Sequence, residues 1–401
     1  MTAPGVDLRA LSGRVIDGRY LLRDWIDDGG FGAVFAAEQR MLGVRVRKVA
    51  VKVSRQDGLS EETAQEQFAD ALVLARAMDE MIDAEALRHL VPVYDAGVAQ
   101  EVGGRAYLAM ELVRGRSLDA EFRSHPRGVP VELMLRWARE ICVALRGIHA
   151  LVPPLVHRDL KPSNVLLSRP GPTVRLVDFG LAGRLIEQGY APGVAGTLAY
   201  MAPETMQGKS LPASDCYSVG ILLYEGLTGR HPFEHLVPPA DLPRELEHEW
   251  VGHARHDCVV EPPSAHSGSL TPAIDAVVLR CLRTAPGERF RTATDLLEAL
   301  DEAVRAPSPS SLSAPESPAE RFARLRERAD RLTRSGEHGP AARVLHEAHA
   351  LAERHPTLLP SRRERADLAG QVADAYARDD NDFQAARFRR RRDDELNGGG
   401  R

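Results

Sequence analysis

The run His157-Arg158-Asp159-Leu160-Lys161-Pro162-Ser163-Asn164, with Asp178-Phe179-Gly180 beginning fourteen residues beyond Asn164, constrains this chain more than any other stretch. A carboxylate, a lysine, an amide and a second carboxylate in this order meet the needs of phosphoryl transfer from ATP. Asp159 can accept the proton of an attacking hydroxyl, and Lys161 can neutralise charge on the migrating phosphoryl group. Asn164 and Asp178 offer hard oxygen ligands to Mg²⁺, which bridges the phosphates. A lone His-Arg-Asp would read as a loop of capping and salt-bridging residues. The whole run does not.

At these residues the chain resembles the eukaryotic-like (Hanks-type) bacterial serine/threonine protein kinases, from about Tyr20 to about Val304. The resemblance implies an α+β, bilobal kinase fold, with a small β-rich N-lobe and a larger α-helical C-lobe. It also implies ATP and Mg²⁺ as cofactors and proteins with Ser/Thr acceptors as substrates.

Composition narrows the alternatives. The net charge of −5 is spread over many residues of both signs, so nothing marks a nucleic-acid binder. The four cysteines, Cys142, Cys216, Cys258 and Cys281, form no C-x-x-C pair and read as reduced thiols of a cytoplasmic protein. No segment approaches the length of a membrane-spanning apolar run, and Asp7 and Arg9 interrupt the N-terminus, so the expectation is a soluble chain without a signal peptide. Among 52 basic residues only Lys48, Lys52, Lys161 and Lys209 are lysines, a bias of GC-rich bacterial genomes. Two of these four fall where a compact ammonium is needed and arginine is not equivalent.

The expected organisation is a leader over 1–19, a kinase domain over 20–304, a Ser/Pro/Ala-rich linker over 305–318, a helical module over 319–396 and a disordered tail over 397–401. Strand character marks Tyr20–Ile26, Gly32–Glu38, Arg47–Val53, Leu90–Tyr94 and Ala106–Leu112, with one helix over about Ser60–Arg88. Helices are expected over Val131–Leu151, Ser214–Thr228, Thr271–Arg283 and Ala293–Val304. Beyond the linker come four more, about Ala319–Ser335, Pro340–Arg354, Ser361–Arg378 and Asp382–Leu396. Leu325, Ala329, Leu332, Gly336, Ala341, Leu345 and Ala348 fit a tetratricopeptide-like pair. The second pair fits only partly, since Arg389 and Arg392 stand at apolar positions, and a plain bundle is the alternative. Either way the module is expected to recruit a protein partner or substrate. The basic run Arg387–Arg392 is followed at once by acids and reads as a solvated helix face.

Carried residue by residue, the resemblance assigns Gly29, Gly30, Phe31 and Gly32 to the loop over the phosphates, with Ile26 and Val34 against the base. Asp27 stands where the family has its first glycine; aspartate tolerates positive φ better than most residues. Lys52, in Val49-Ala50-Val51-Lys52, is the lysine for the α- and β-phosphates, Ala50 and Leu166 sandwich adenine, Met110 is the gatekeeper, and Glu111 with Val113 forms the hinge. The helix carboxylate that pairs with Lys52 is Asp70 or Glu80, with Asp70 preferred. Asp215 is expected to anchor the catalytic loop, and Glu204 with Arg289 to form a structural ion pair. Gly196–Glu204, together with Lys161, has the form of a Ser/Thr rather than a Tyr kinase. Arg158 belongs to the family's usual acceptor of an activation-loop phosphate, yet Leu181–Gly196 holds no Ser or Thr. Activity is therefore expected without loop phosphorylation. The rival reading is a nucleotide-binding pseudokinase scaffold, favoured by Asp27 and the uncertain helix carboxylate and opposed by Lys52, Asp159, Asn164 and Asp178.

Overall fold

The computed structural model describes residues 7–28, 31–178, 198–236, 238–239, 242–243, 246–256, 258–306, 317–379 and 381–397. The chain forms two compact units, Met1–His256 with Pro262–Ala306, and Asp257–Glu261 with Pro307–Arg401.

The first unit opens with an antiparallel sheet of β1 (Val15–Ile16), β2 (Tyr20–Asp28), β3 (Gly32–Met41), β4 (Val44–Ser54), β5 (Val93–Ala99) and β6 (Arg105–Glu111), in the order β1-β2-β3-β4-β6-β5. Period-two alternation divides β4 between two apolar clusters. Val49, Val51 and Val53 pack with Leu8, Ile16, Tyr20 and Phe35. Ala50 packs with Phe68, Ala71 and Met110 on the other. Lys52 has the same parity as Ala50, so the sheet itself directs its side chain to that second face.

Within the segment expected to be a leader, Leu8–Leu11 forms a 3-10 turn and Val15–Ile16 joins the sheet. Leu8 and Ile16 are 1% and 0% exposed, and burying two such side chains gives the short β1 its reason to pair with β2. The helix expected over Ser60–Arg88 is broken into α1 (Glu61–Gln67), α2 (Ala69–Glu80) and α3 (Ala84–Leu87). Ser60 caps α1 by accepting the Thr63 N–H, and Asp83 caps α3 by accepting the Ala86 N–H. Between α1 and α2, Phe68 leaves the helical region and buries its ring 5.3 Å from that of Phe31.

The rest of the unit is mainly helical: α4 (Leu118–Ser124), α5 (Val131–His149), α6 (Pro203–Met206), α7 (Pro212–Thr228), α8 (Glu247–His256), α9 (Pro272–Cys281) and α10 (Ala293–Arg305). A second, three-stranded antiparallel sheet of β7 (Gly115–Ser117), β8 (Val165–Ser168) and β9 (Val174–Leu176) is embedded among them. The β8–β9 register pairs Val165 with Leu176. It therefore brings Asn164, just before one strand, beside the Val177–Asp178 segment just after the other; the Val177 N–H donates to the Asn164 carbonyl at 3.1 Å. Among the described residues no helix is long and apolar enough to cross a membrane.

The second unit holds α11 (Pro318–Arg334), α12 (His338–Arg354), α13 (Arg362–Ala377) and α14 (Asp382–Asn397). Leu325, Ala329, Leu345, Ala348, Ala373, Tyr376, Ala385 and Phe388 share one apolar core. Gly336 turns between α11 and α12 at φ +80°. Arg389, expected at an apolar position, is exposed, and Phe388 fills the core in its place, wholly buried.

Candidate active site

Helix α7 is the foundation on which the catalytic loop is built. Asp215, 1% exposed, accepts the backbone N–H of His157 at 2.8 Å on Oδ2 and that of Arg158 at 3.1 Å on Oδ1. His149, at the end of α5, donates from Nε2 to the same Asp215 Oδ2 at 3.0 Å and accepts the Ala293 N–H on Nδ1 at 3.2 Å. Nothing in the sequence marks that histidine, which simply ends an amphipathic helix. Held this way, Arg158 adopts φ +66°, a backbone state that a non-glycine residue keeps only where its surroundings enforce it. Burial holds the His157 imidazole below its ordinary pKa against the pull of Asp215, Asp159 and Asp178.

Asp159 is 7% exposed, and its two oxygens differ. Oδ2 accepts from Lys161 Nζ and from Asn164 Nδ2, both at 2.9 Å. Oδ1 is buried and has no donor among the described residues. Asn164 also donates to the Asp159 carbonyl at 2.8 Å. Both of these bonds use the amide nitrogen, which leaves the Asn164 side-chain oxygen for another partner.

Lys52 is 6% exposed, and its Nζ lies 2.9 Å from Asp178 Oδ1. Burial by itself pushes the Asp178 carboxyl up; the charges of Lys52 and Lys161 outweigh it and hold the group below the ordinary carboxylate value. Asp178 sits at φ +62°. Neither expected helix carboxylate meets Lys52. Asp70 Oδ2 lies 3.1 Å from Arg158 Nη1 instead, and Glu80, near the end of α2, is exposed. The shorter side chain of aspartate and the break at Phe68 together direct Asp70 toward the catalytic loop.

Val34, Ala50, Met110, Val113 and Phe31 belong to one apolar cluster. Leu166 on β8 is half-buried, and Ile26 on β2 is 46% exposed. The Val113 N–H has no acceptor among the described residues, an open donor at the position expected for the hinge. Glu111 turns its side chain to Arg175. Gly32 is required by close approach: a Cβ there would lie 1.9 Å from the Val53 carbonyl oxygen. Asp27 is exposed and extended, paired with Val34 in the sheet, so no positive φ is asked of it. Gly29, Gly30, Tyr190 and Thr197 lie outside the described residues.

The residues present fit Mg²⁺ and a nucleotide. Among the described residues no group of three His, Cys, Asp or Glu could hold a metal alone. One amide oxygen and one carboxylate are, however, the sort of set Mg²⁺ uses when phosphate oxygens and water complete its shell. Away from the cleft, Glu204 and Arg289 form a doubly hydrogen-bonded buried pair at 2.7 and 2.8 Å.

Residues 20–300 match the model of the protein kinase domain. Serine/threonine-protein kinase A of Synechocystis sp. is 31% identical over 300 residues, which is 72% of this chain and 54% of that protein. Serine/threonine-protein kinase PksC of Streptomyces coelicolor is 34% identical over 296 residues, 71% of this chain and 48% of that one. Serine/threonine-protein kinase PknB of Mycolicibacterium smegmatis is 34% identical over 287 residues, 69% and 42% of the two chains. The chain spans about half the length of these curated relatives. The crystal structure of the Mycobacterium tuberculosis PknI kinase domain aligns with 73% of this chain and 98% of its own, at 24% identity and a TM-score of 0.48.

Proposed function

This chain belongs to the protein kinase domain family, and we propose that it is an ATP- and Mg²⁺-dependent kinase transferring the γ-phosphoryl group to Ser/Thr hydroxyls of proteins. The observation that carries this reading is the asymmetry of Asp159: Lys161 and Asn164 hold Oδ2, while Oδ1 keeps an unused acceptor position. A carboxylate so fixed is placed to take the proton of an incoming hydroxyl. When bound, ATP supplies the phosphoryl group and Mg²⁺ neutralises its oxygens.

Asn164 and Asp178 would hold the ion, and Lys52 would bind the α- and β-phosphates while keeping Asp178 ionised. Val34, Ala50, Met110 and Leu166 exclude water around the base, and the Val113 N–H is available to its edge. Lys161 offsets charge on the group in flight while Asp159 takes the acceptor's proton. The serine/threonine preference rests on Lys161, on the form of Gly196–Glu204 and on the names of the relatives.

The four-helix unit contributes none of these residues. Its proposed role is to recruit a protein partner or substrate, and a tetratricopeptide-like arrangement of its first two helices is supported by the shared core of Leu325, Ala329, Leu345 and Ala348. The proposed compartment is the cytoplasm.

Purified protein incubated with labelled ATP, Mg²⁺ and myelin basic protein is expected to label serine or threonine of the added protein. Nucleotide binding without transfer would replace this reading with that of a scaffold.

A further inference from the structure

Helix α8 carries an arginine where a core residue belongs. Of its ten residues, from Glu247 to His256, the one that is buried is Arg255, at 3% exposure. A buried guanidinium ordinarily meets a carboxylate. Arg255 makes no such pair among the described residues. It donates instead to three backbone carbonyls of one turn: Met201 at 2.6 Å, Ala199 at 2.6 Å and Leu198 at 3.1 Å. Its guanidinium lies over the rings of Phe233, 4.7 Å away, and Tyr217, 6.0 Å away. His231 donates from Nε2 to the same Ala199 oxygen at 3.1 Å, with Nδ1 accepting the Phe233 N–H at 3.2 Å.

The turn so gripped stands beside the catalytic loop, because α7 holds both. Asp215 holds the His157 and Arg158 backbone, and Ser218, one helical turn on, donates to the Tyr200 carbonyl at 2.8 Å. Leu198, Ala199, His231, Phe233, Val251 and Arg255 also line a cavity of about 280 Å³. Helix α7 therefore keeps the turn and the loop that carries Asp159 at a fixed spacing. Three of the turn's carbonyls are taken by one buried cation.

We infer that Arg255 is a positioning residue for the protein acceptor, holding the Leu198–Met201 turn as a rigid ledge beside Asp159. The inference rests on the kinase reading above. Lysine at this position can reach one or two of the three carbonyls but lacks the planar fork that reaches all of them. Arg255→Lys should therefore raise the KM for myelin basic protein roughly tenfold, as expected for lost charge-assisted hydrogen bonds. The KM for ATP, the nucleotide affinity measured directly, and kcat at saturating acceptor should stay within about twofold of wild type, since none of these hydrogen bonds reaches the nucleotide cleft.

Arg255→Met tests the same point without the charge, and nucleotide affinity reports whether it folds. If it does not, Arg255→Lys and His231→Gln decide, the latter raising the acceptor KM in the same sense. An unchanged acceptor KM in the folded variants, or a parallel rise in both KM values, would overturn the role of Arg255 alone. Absence of transfer by the wild type would instead remove the reading on which it rests.

Discussion

Asp70 of α2 reaches the catalytic loop directly: its Oδ2 lies 3.1 Å from Nη1 of Arg158, the residue before Asp159. The two side chains are 15% and 32% exposed, so the pair is partly shielded from water. It ties α2 to the loop that carries Asp159. Arg158 thus already has an internal anion, in keeping with a segment Leu181–Gly196 that lacks Ser and Thr. Asp70→Asn is expected to lower kcat about tenfold, the scale of one charge-assisted hydrogen bond. Asp70→Arg combined with Arg158→Asp should recover part of the loss. Steady-state kinetics decide, and an unchanged kcat in Asp70→Asn would dismiss the coupling.

Protonation of His231 should make the fold weaken in mild acid. Burial, aided by the charge of Arg255, holds its pKa at about 4 against an ordinary 6.5. Between those values the unfolded chain binds a proton that the folded one refuses. The stabilisation is therefore complete above pH 6.5 and lost as pH falls toward 4, by at most about 3 kcal/mol. Urea unfolding across this range should show the decline, and His231→Gln should make it shallower. A slope identical in the variant and the wild type would exclude this histidine as a source.

Breaking the pair of Glu204 and Arg289 should be costly. Arg289 also donates to the carbonyls of Arg283 and Thr284, at 2.6 and 2.7 Å, and its side chain is 0% exposed. Arg289→Met leaves Glu204 buried without its counter-charge and is expected to destabilise the unit by about 3–5 kcal/mol. Chemical denaturation should register this as a large drop in midpoint. A change under about 1 kcal/mol would mean that Glu204 finds another partner.

The grouping of Asp159, Lys161, Asn164 and Asp178 was legible because these residues are close in sequence and joined by one hairpin. Alternation through Val49, Val51 and Val53 fixes the face of Lys52, and β8–β9 pairing joins Asn164 to Asp178. Asp70 was misread because its partner depends on the break at Phe68, and phenylalanine is acceptable within a helix. Val15–Ile16 is too short to show a period, so its pairing with β2 and the burial of Leu8 and Ile16 could not be read from the sequence. Helix α8 was missed for the opposite reason: its buried face is an arginine, and hydrophobic periodicity has nothing to detect there.

Replacing Asp159 by asparagine tests the central claim most directly. Asparagine keeps the shape and can still accept hydrogen bonds from Lys161 and Asn164 through one oxygen, but it has no carboxylate to take a proton. Transfer from labelled ATP to myelin basic protein should fall by about two to four orders of magnitude. Nucleotide affinity and the urea midpoint should stay close to wild type. Undiminished transfer by a folded Asp159→Asn protein would contradict the account.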